Sequence, residues 1–246
     1  MNRESRRLDQ ALVERGLAPT RSRARDWIES GRVKVRGKPV FKPATGVSPE
    51  DLIEVDLPEK QWVSRGAQKL LAALDAFGVD PGGRVAFDIG ASTGGFTEVL
   101  LTRGATKVFA IDVGHGQLDP RIKEDSRVIN VEKYHARNFN PADFDTSASL
   151  LVMDVSFISI RLVLPAVIRG LESGADLLVL FKPQFEVGRE HLGSGGIVRD
   201  VETRERALQQ VVEWSVELPL LHRGTMESPL IGGDGNHEYL IHWNKV

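Results

Sequence analysis

The chain has 246 residues, 41% hydrophobic and 27% charged, the composition of a globular protein able to bury one large core and a smaller one. It holds no cysteine, which excludes disulfides, thiolate metal sites and a cysteine nucleophile; six scattered histidines without ligand spacing lead us to expect no metal. Net charge is −2, but residues 1–42 carry 12 Lys/Arg against 5 Asp/Glu while the remainder is acidic, so the head is expected to meet a polyanion.

No apolar run approaches the roughly 20 residues of a membrane helix. The opening "MNRESRRLDQALVERG" has no apolar stretch of the signal-peptide kind. A cytoplasmic protein without membrane contact is expected. "SRRLDQALVERGL" predicts a helix capped by Ser5, with Leu8, Ala11 and Leu12 on one face and Gly16 as stop. "PTRSRARDWIESG" repeats the design, with Thr20 as cap, Ala24, Trp27 and Ile28 as the apolar face and Gly31 as stop. "RVKVRGKPV" alternates Val33 and Val35 with Arg32, Lys34 and Arg36, a half-buried strand with a basic outer face, and "DLIEVDL" predicts another strand. Arg6, Arg7, Arg21, Arg23, Arg25, Lys34 and Arg36 thus decorate a helix–helix–strand unit. On "RLDQALVERGLAPTRSRARDWIESGRVKVRGKPV" this unit resembles the S-four RNA-binding domain, which implies that these seven residues bind RNA; a merely solvated basic face is the alternative.

"LPEKQWVSRG" reads as the junction, giving an RNA-binding domain over 1–60, a linker over 61–65 and a large domain over 66–246. Trp62 packs either between the domains or into a core. From Ser64 onward helix and strand signals alternate, the pattern of a parallel sheet covered by helices. "GAQKLLAALDAFG" is a helix with Leu70, Leu71, Leu74 and Phe77 as its stripe; "RVAFDIGASTGGFTEVLLTRG" is strand, glycine turn and helix. "TKVFAIDVG", "SLLVMDVSF" and "DLLVLFKP" are further strands, "ETRERALQQVVEWSVEL" is a late helix, and "LLHRGTMES" with "HEYLIHWNK" closes the chain as a hairpin.

The turn "FDIGASTGGF" lets backbone approach a ligand closely at a helix N-terminus. It fits neither the dinucleotide fingerprint nor a Walker loop, because the second glycine of the first and the GK[ST] ending of the second are missing. It resembles the GxSxGGF turn of S-adenosylmethionine-dependent methyltransferases, which implies cofactor contacts by Asp88, Gly90, Ala91, Ser92, Gly94, Gly95 and Phe96, with Asp112 of "AIDVG" accepting ribose hydroxyls. "NVEKYHARNFN" is expected to border the adenine.

Asp154 and Lys182 end their strands, where parallel sheets bind ligands, although either could be a solvated terminus or half of a simple salt bridge. With Lys69 and Glu238 they match the Lys–Asp–Lys–Glu constellation of FtsJ-like RNA ribose 2′-O-methyltransferases. The stretches "SRGAQKL", "MDVSFISI", "LFKPQFE" and "GNHEYLIHW" extend the likeness, so that the whole chain resembles the hemolysin-A-like (TlyA) family of rRNA methyltransferases. That resemblance implies an α/β fold: a Rossmann-like sheet, mostly parallel with the last strand antiparallel, beside a small α+β RNA-binding domain. It implies methylation of ribose, cytidine in particular, in ribosomal RNA or its subunits. Lys182 would be base or oxyanion-orienting residue, Asp154 would position it and also neighbour the cofactor, Lys69 would add positive field and Glu238 would orient Lys69 or the ribose. Base-amine methylation fits less well, because "DVSF" stands where an Asn/Asp-Pro-Pro-aromatic loop would be, and the cysteine route to carbon-5 is closed. "QFEVGREHLGSGGIVRD" is expected to form a mobile lid, in which Arg189 and Arg199 either touch phosphate or are solvated. The rival readings are a catalytically silent ribosome- or RNA-binding protein and a membrane-active hemolysin. No protein partner is implied.

Overall fold

Why the chain folds as two bodies is visible in the computed structural model, which describes residues 6–56 and 62–246. Contacts divide it into residues 1–61 and 62–246. In the first unit β1 (Arg6–Arg7) leads directly into α1 (Leu8–Glu14), followed by α2 (Arg21–Glu29), β2 (Val33–Val35), β3 (Lys38–Pro39), β4 (Gly46–Val47) and β5 (Ile53–Val55). Thr20 caps α2, its hydroxyl accepting from the Arg23 N–H at 3.2 Å. Ser5, the expected cap of α1, lies outside the described residues. Arg7 holds the N-cap position without a side-chain capping bond, and Arg6 and Arg7 are extended and pair with β4. Leu8, Ala11 and Leu12 meet Ala24, Trp27, Ile28 and Val33 in one small core. β3, β2 and β5 lie side by side as an antiparallel sheet.

The second unit begins with α3 (Gly66–Phe77), β6 (Val85–Ile89), α4 (Gly95–Thr102), β7 (Lys107–Ile111), α5 (Pro120–Lys123) and β8 (Val128–Val131). It continues with β9 (Ala148–Met153), α6 (Leu164–Val167), β10 (Leu171–Phe181), α7 (Val201–Trp214), β11 (Leu220–Glu227) and β12 (Tyr239–Lys245). The strand order is β11-β12-β10-β9-β6-β7-β8, parallel throughout except for β12, which runs against both its neighbours. Trp62 and Val63, read as linker from the sequence, pack against this unit; the Val63 N–H donates to Glu98 Oε2 at 2.7 Å.

Alternation along each central strand builds two cores, one per face. Leu150 and Val152 of β9, with Leu178 and Leu180 of β10, face Leu70 and Leu74 of α3 and Leu100 of α4. Leu151 and Met153, with Leu177, Val179 and Phe181, face Leu164 of α6 and Val211 of α7. Both faces are buried, so these strands are apolar at every position rather than at every second one. The edge strand β8 was not legible in the sequence, because Ile129 is exposed and Asn130 interrupts the apolar run.

From β6 the chain builds outward through β7 and β8, then returns to place β9 on the other side of β6. The carboxyl ends of β6 and β9 therefore open a crevice at the point where the winding reverses. Asp154, Lys182 and the glycine turn all belong to that edge.

Candidate active site

The turn after β6 is shaped by close approach. Gly90 has φ +84°, and a Cβ added there would overlap the Asp154 carbonyl oxygen at the end of β9. Gly95 opens α4 against the Ser64 hydroxyl with no room for a side chain. Asp112, ending β7, accepts from the Ser92 N–H at 2.8 Å and the Gly114 N–H at 2.6 Å, and so fixes the turn to the neighbouring strand. Gly90, Ser92, Asp112 and Asp154 border a cavity of about 560 Å³ that continues past Tyr134 and Ala136, within the stretch expected beside the adenine. Its size and its mixed polar and apolar wall suit a nucleoside-sized ligand.

Asp88 does not reach that cavity. It is fully buried, accepting from the Thr97 hydroxyl at 2.6 Å through Oδ2 while Oδ1 has no partner. Burial, reinforced by the charges of Asp154 and Asp112 and opposed by the Thr97 bonds, pushes its carboxyl up to about 7. Asp88, expected among the cofactor contacts, lies beneath the turn instead, because the fourth position of β6 faces α4, where Thr97 meets it. Gly94 likewise packs on Leu118 and Ile122, whereas Ala91, Gly95 and Phe96 border a second cavity of about 190 Å³.

Two ion pairs stand at the carboxyl edge. Lys69, on α3, pairs with Glu238 just before β12; the side chains are only 11% and 4% exposed. Lys182 Nζ, after β10, lies 2.6 Å from Asp154 Oδ1 and donates to the Ser156 hydroxyl at 2.9 Å. The Lys182 ammonium is thus shared between the Asp154 carboxylate and the Ser156 hydroxyl. Lys69 and Asp154 border the 190 Å³ cavity, and Lys182 and Glu238 border a third one of about 410 Å³; Gly233 belongs to both. All four residues of the sequence-derived set therefore meet at one place. Paired charges kept out of water carry a desolvation cost that a hydrophobic packing of the same volume avoids. Such groups in a cleft are candidates for function.

Sequence reasoning missed two residues here. Ser156 holds Lys182, and Phe157, 92% exposed with φ +63°, leans against Phe185 at 5.2 Å between ring centres on the rim of the third cavity. An exposed phenylalanine in a strained backbone region was signalled only by its position directly after "DVS". The loop expected as a lid contributes Leu192, Gly195 and Gly196 to the same rim. Asn236 ties it down, accepting from the Val198 N–H at 2.9 Å and donating to the Gly196 carbonyl at 3.1 Å. Arg189 and Arg199 are exposed.

In the first unit the expected basic residues are not a uniform face. Arg7, Arg21 and Arg25 all bond Asp9, whose side chain is buried; Arg36 bonds Asp51, and Arg6 pairs with Glu14. Arg23 and Lys34 are half-exposed. Charge counting cannot distinguish these situations, because it does not tell which carboxylate is buried.

Residues 62–245 match the model of the FtsJ-like methyltransferase family. The chain belongs to that family. Residues 6–53 match the S4 domain in addition. A Mycobacterium tuberculosis protein named 16S/23S rRNA (cytidine-2′-O)-methyltransferase TlyA is 46% identical over 96% of this chain and 88% of its own length. Hemolysin A of Brachyspira hyodysenteriae is 39% identical over 96% of this chain and 99% of its own. Among solved structures, a putative hemolysin from Streptococcus thermophilus superposes with TM-score 0.78 at 38% identity, covering 98% of this chain and 89% of the other. FtsJ-like membership accounts for the Rossmann-like sheet with its one antiparallel strand.

Proposed function

We propose that this protein methylates the ribose 2′-hydroxyl of cytidine in ribosomal RNA, with S-adenosylmethionine as methyl donor. The observation that carries the reading is the meeting of the Lys69–Glu238 and Lys182–Asp154 pairs beside the cavity walled by Gly90 and Asp112. The names borne by the 46% identical relatives, and the S4 match, support the choice of ribosomal RNA as substrate. A chain acting on ribosomal RNA would work in the cytoplasm.

The residues present fit the donor. Gly90, lacking a side chain, lets the ends of β6 and β9 close on each other at the cavity wall, and Asp112 and Asp154 bring carboxylates to that wall. When bound, S-adenosylmethionine supplies an electrophilic methyl group. Asp154 holds the Lys182 ammonium at the third cavity, where it would orient the ribose oxygen and stabilise the charge that oxygen gains as its proton passes to solvent water. Glu238 fixes Lys69 at the wall between the cavities, adding positive field at the same oxygen. Most of the acceleration then comes from holding the hydroxyl in line with the methyl group.

Labelled methyl transfer to small subunits, large subunits and naked rRNA, followed by nuclease digestion, tests the reading. Label on a ribose, lost in Lys182→Ala, is expected. Label on a base would overturn the chemistry, and cofactor binding without transfer to any substrate would leave a silent RNA-binding protein. The haemolytic rival finds no specific support: among the described residues no helix is long and apolar enough to cross a membrane.

A further inference from the structure

Two residues beyond Lys182 the chain buries a carboxamide whose oxygen meets no donor. Gln184 lies in the short turn Pro183–Phe185, borders the third cavity together with Lys182 and Glu238, and is only 8% exposed. Its Nε2 donates to Asp234 Oδ2 at 3.1 Å, whereas Oε1 is buried and has no hydrogen-bond partner among the described residues. Asp234 borders the same cavity. Glutamine is seldom buried, and buried polar groups are ordinarily satisfied, so a half-paired amide beside a cavity calls for a ligand.

We propose that Gln184 reads the base of the target nucleotide, its Oε1 accepting from the amino group of cytosine and its second Nε2 hydrogen donating to the adjacent ring nitrogen. The proposal rests on the ribose-methylation reading of this site and adds the contact that selects the base. Gln184 determines specificity, and Asp234 is the positioning residue. Cytosine presents on this edge a donor, its amino group, next to an acceptor, N3. A carboxamide held edge to edge offers the complementary pair. Uracil presents a carbonyl and an N–H at the same places, so both contacts would turn repulsive. Adenine carries the cytosine pattern, so this contact separates cytidine from uridine and not from adenosine. Oε1 is covered by protein, so the contact requires the carboxamide to swing toward the cavity about its bond to Asp234.

Asp234 makes the reading directional. An ionised carboxylate only accepts, so the nitrogen end of the carboxamide must face it and the oxygen end must face away. Burial would push the Asp234 carboxyl up, but bonds from the Asn236 N–H and from Gln184 outweigh it and hold the group below its ordinary value. A tight turn fixes Asp234 in place. In it the Gly232 N–H donates to the Asn236 carbonyl at 2.8 Å, the Gly235 N–H to the Gly232 carbonyl at 2.9 Å, and the Asn236 N–H to Asp234 Oδ1 at 3.1 Å. Lys182 and Gln184 border one cavity from the same end of β10. A nucleotide with its ribose at Lys182 therefore turns its base toward the wall that Gln184 and Asp234 form.

Methyl transfer by the full chain to ribosomal subunits carrying either cytidine or uridine at the methylated position provides the test, with kcat/KM as the readout. The wild type is expected to prefer cytidine by about 100-fold or more. Gln184→Leu keeps a similar volume and removes both polar atoms. Its activity on cytidine should fall, and its preference should shrink to within a few-fold of one. Equal losses on cytidine and uridine, with the preference kept, would mean a merely structural role and overturn the proposal. Asp234→Asn lets the carboxamide turn round, so the preference should shrink while activity on uridine rises. Thermal melting accompanies both variants. If Gln184→Leu does not fold, Asp234→Asn decides, and an unchanged preference there overturns the proposal. A wild type that labels no ribose overturns the ribose-methylation reading together with this contact, whereas equal wild-type activity on cytidine and uridine overturns only the assignment of Gln184.

Discussion

The α-carbon of Gly90 lies so close to the Asp154 carbonyl oxygen that no side chain fits between them. The Asp154 N–H in turn donates to the Ile89 carbonyl at 2.9 Å, so the ends of β6 and β9 are locked to each other at the crevice. Gly90→Ala meets both the steric overlap and a φ of +84°. We expect a loss of stability of about 2 kcal/mol or more and a much weaker S-adenosylmethionine titration. Calorimetry that finds wild-type affinity would separate the turn from cofactor binding.

Lys182→Ala removes the donor beside Asp154 while leaving the Gly90–Asp112 wall intact. Turnover should fall by about 10²–10⁴-fold. Cofactor affinity, read by equilibrium dialysis, should change only a few-fold; a large parallel loss would assign Lys182 to cofactor binding instead.

Glu238→Ala leaves the Lys69 ammonium buried without its partner. A cost of about 3–5 kcal/mol is expected for breaking such a pair. Urea melts of Glu238→Ala against the double variant Lys69→Met/Glu238→Leu should find much of that stability restored in the double, though not the activity.

Asp88 gives a pH signature. Its carboxyl, held at about 7 when folded, has an ordinary value near 3.8, so the folded state binds the extra proton between those values. The contribution is fully present below about 4, declines as pH rises to about 7 and then stays flat, amounting to about 2–4 kcal/mol in all. Denaturant melts of wild type and Asp88→Asn across this range should differ in slope, the variant lacking the decline. Parallel curves would mean that Asp88 titrates normally.

Phe157 is exposed, so Phe157→Ala should leave stability within about 0.5 kcal/mol. Standing on the rim of the Lys182 cavity beside Phe185, it offers a stacking surface to a nucleobase, worth about 1–3 kcal/mol. The check is a rise in KM for RNA with cofactor affinity unaltered.

The central architecture was legible because of its burial. "LLVM" before Asp154 and "LLVLF" before Lys182 are apolar at every position, as a strand covered on both faces must be, and the switch to an ionisable residue marks the strand end. The glycine turn and Asp112 stood out as strand ends, but the bonds that Asp112 accepts from the Ser92 and Gly114 N–H groups did not. What escaped depended on tertiary contact. The two-residue strands β1, β3 and β4 are too short for any periodicity, and Arg6–Arg7 therefore read as the start of a helix. Asp88 and Asp9 look like any other carboxylates in sequence; only packing decides that one lies beneath the turn and the other beneath three arginines.

The placement of β12 couples the sheet edge to the site. It is synthesised after β11 yet inserts between β11 and β10, bringing Glu238 to Lys69 as it does so. Without β12, Leu177–Phe181 of β10 would be an unpaired apolar edge of the sheet. The strand that closes this edge also carries in the last of the four ionic groups, so a sheet left open at β10 would lack Glu238 beside Lys69 as well.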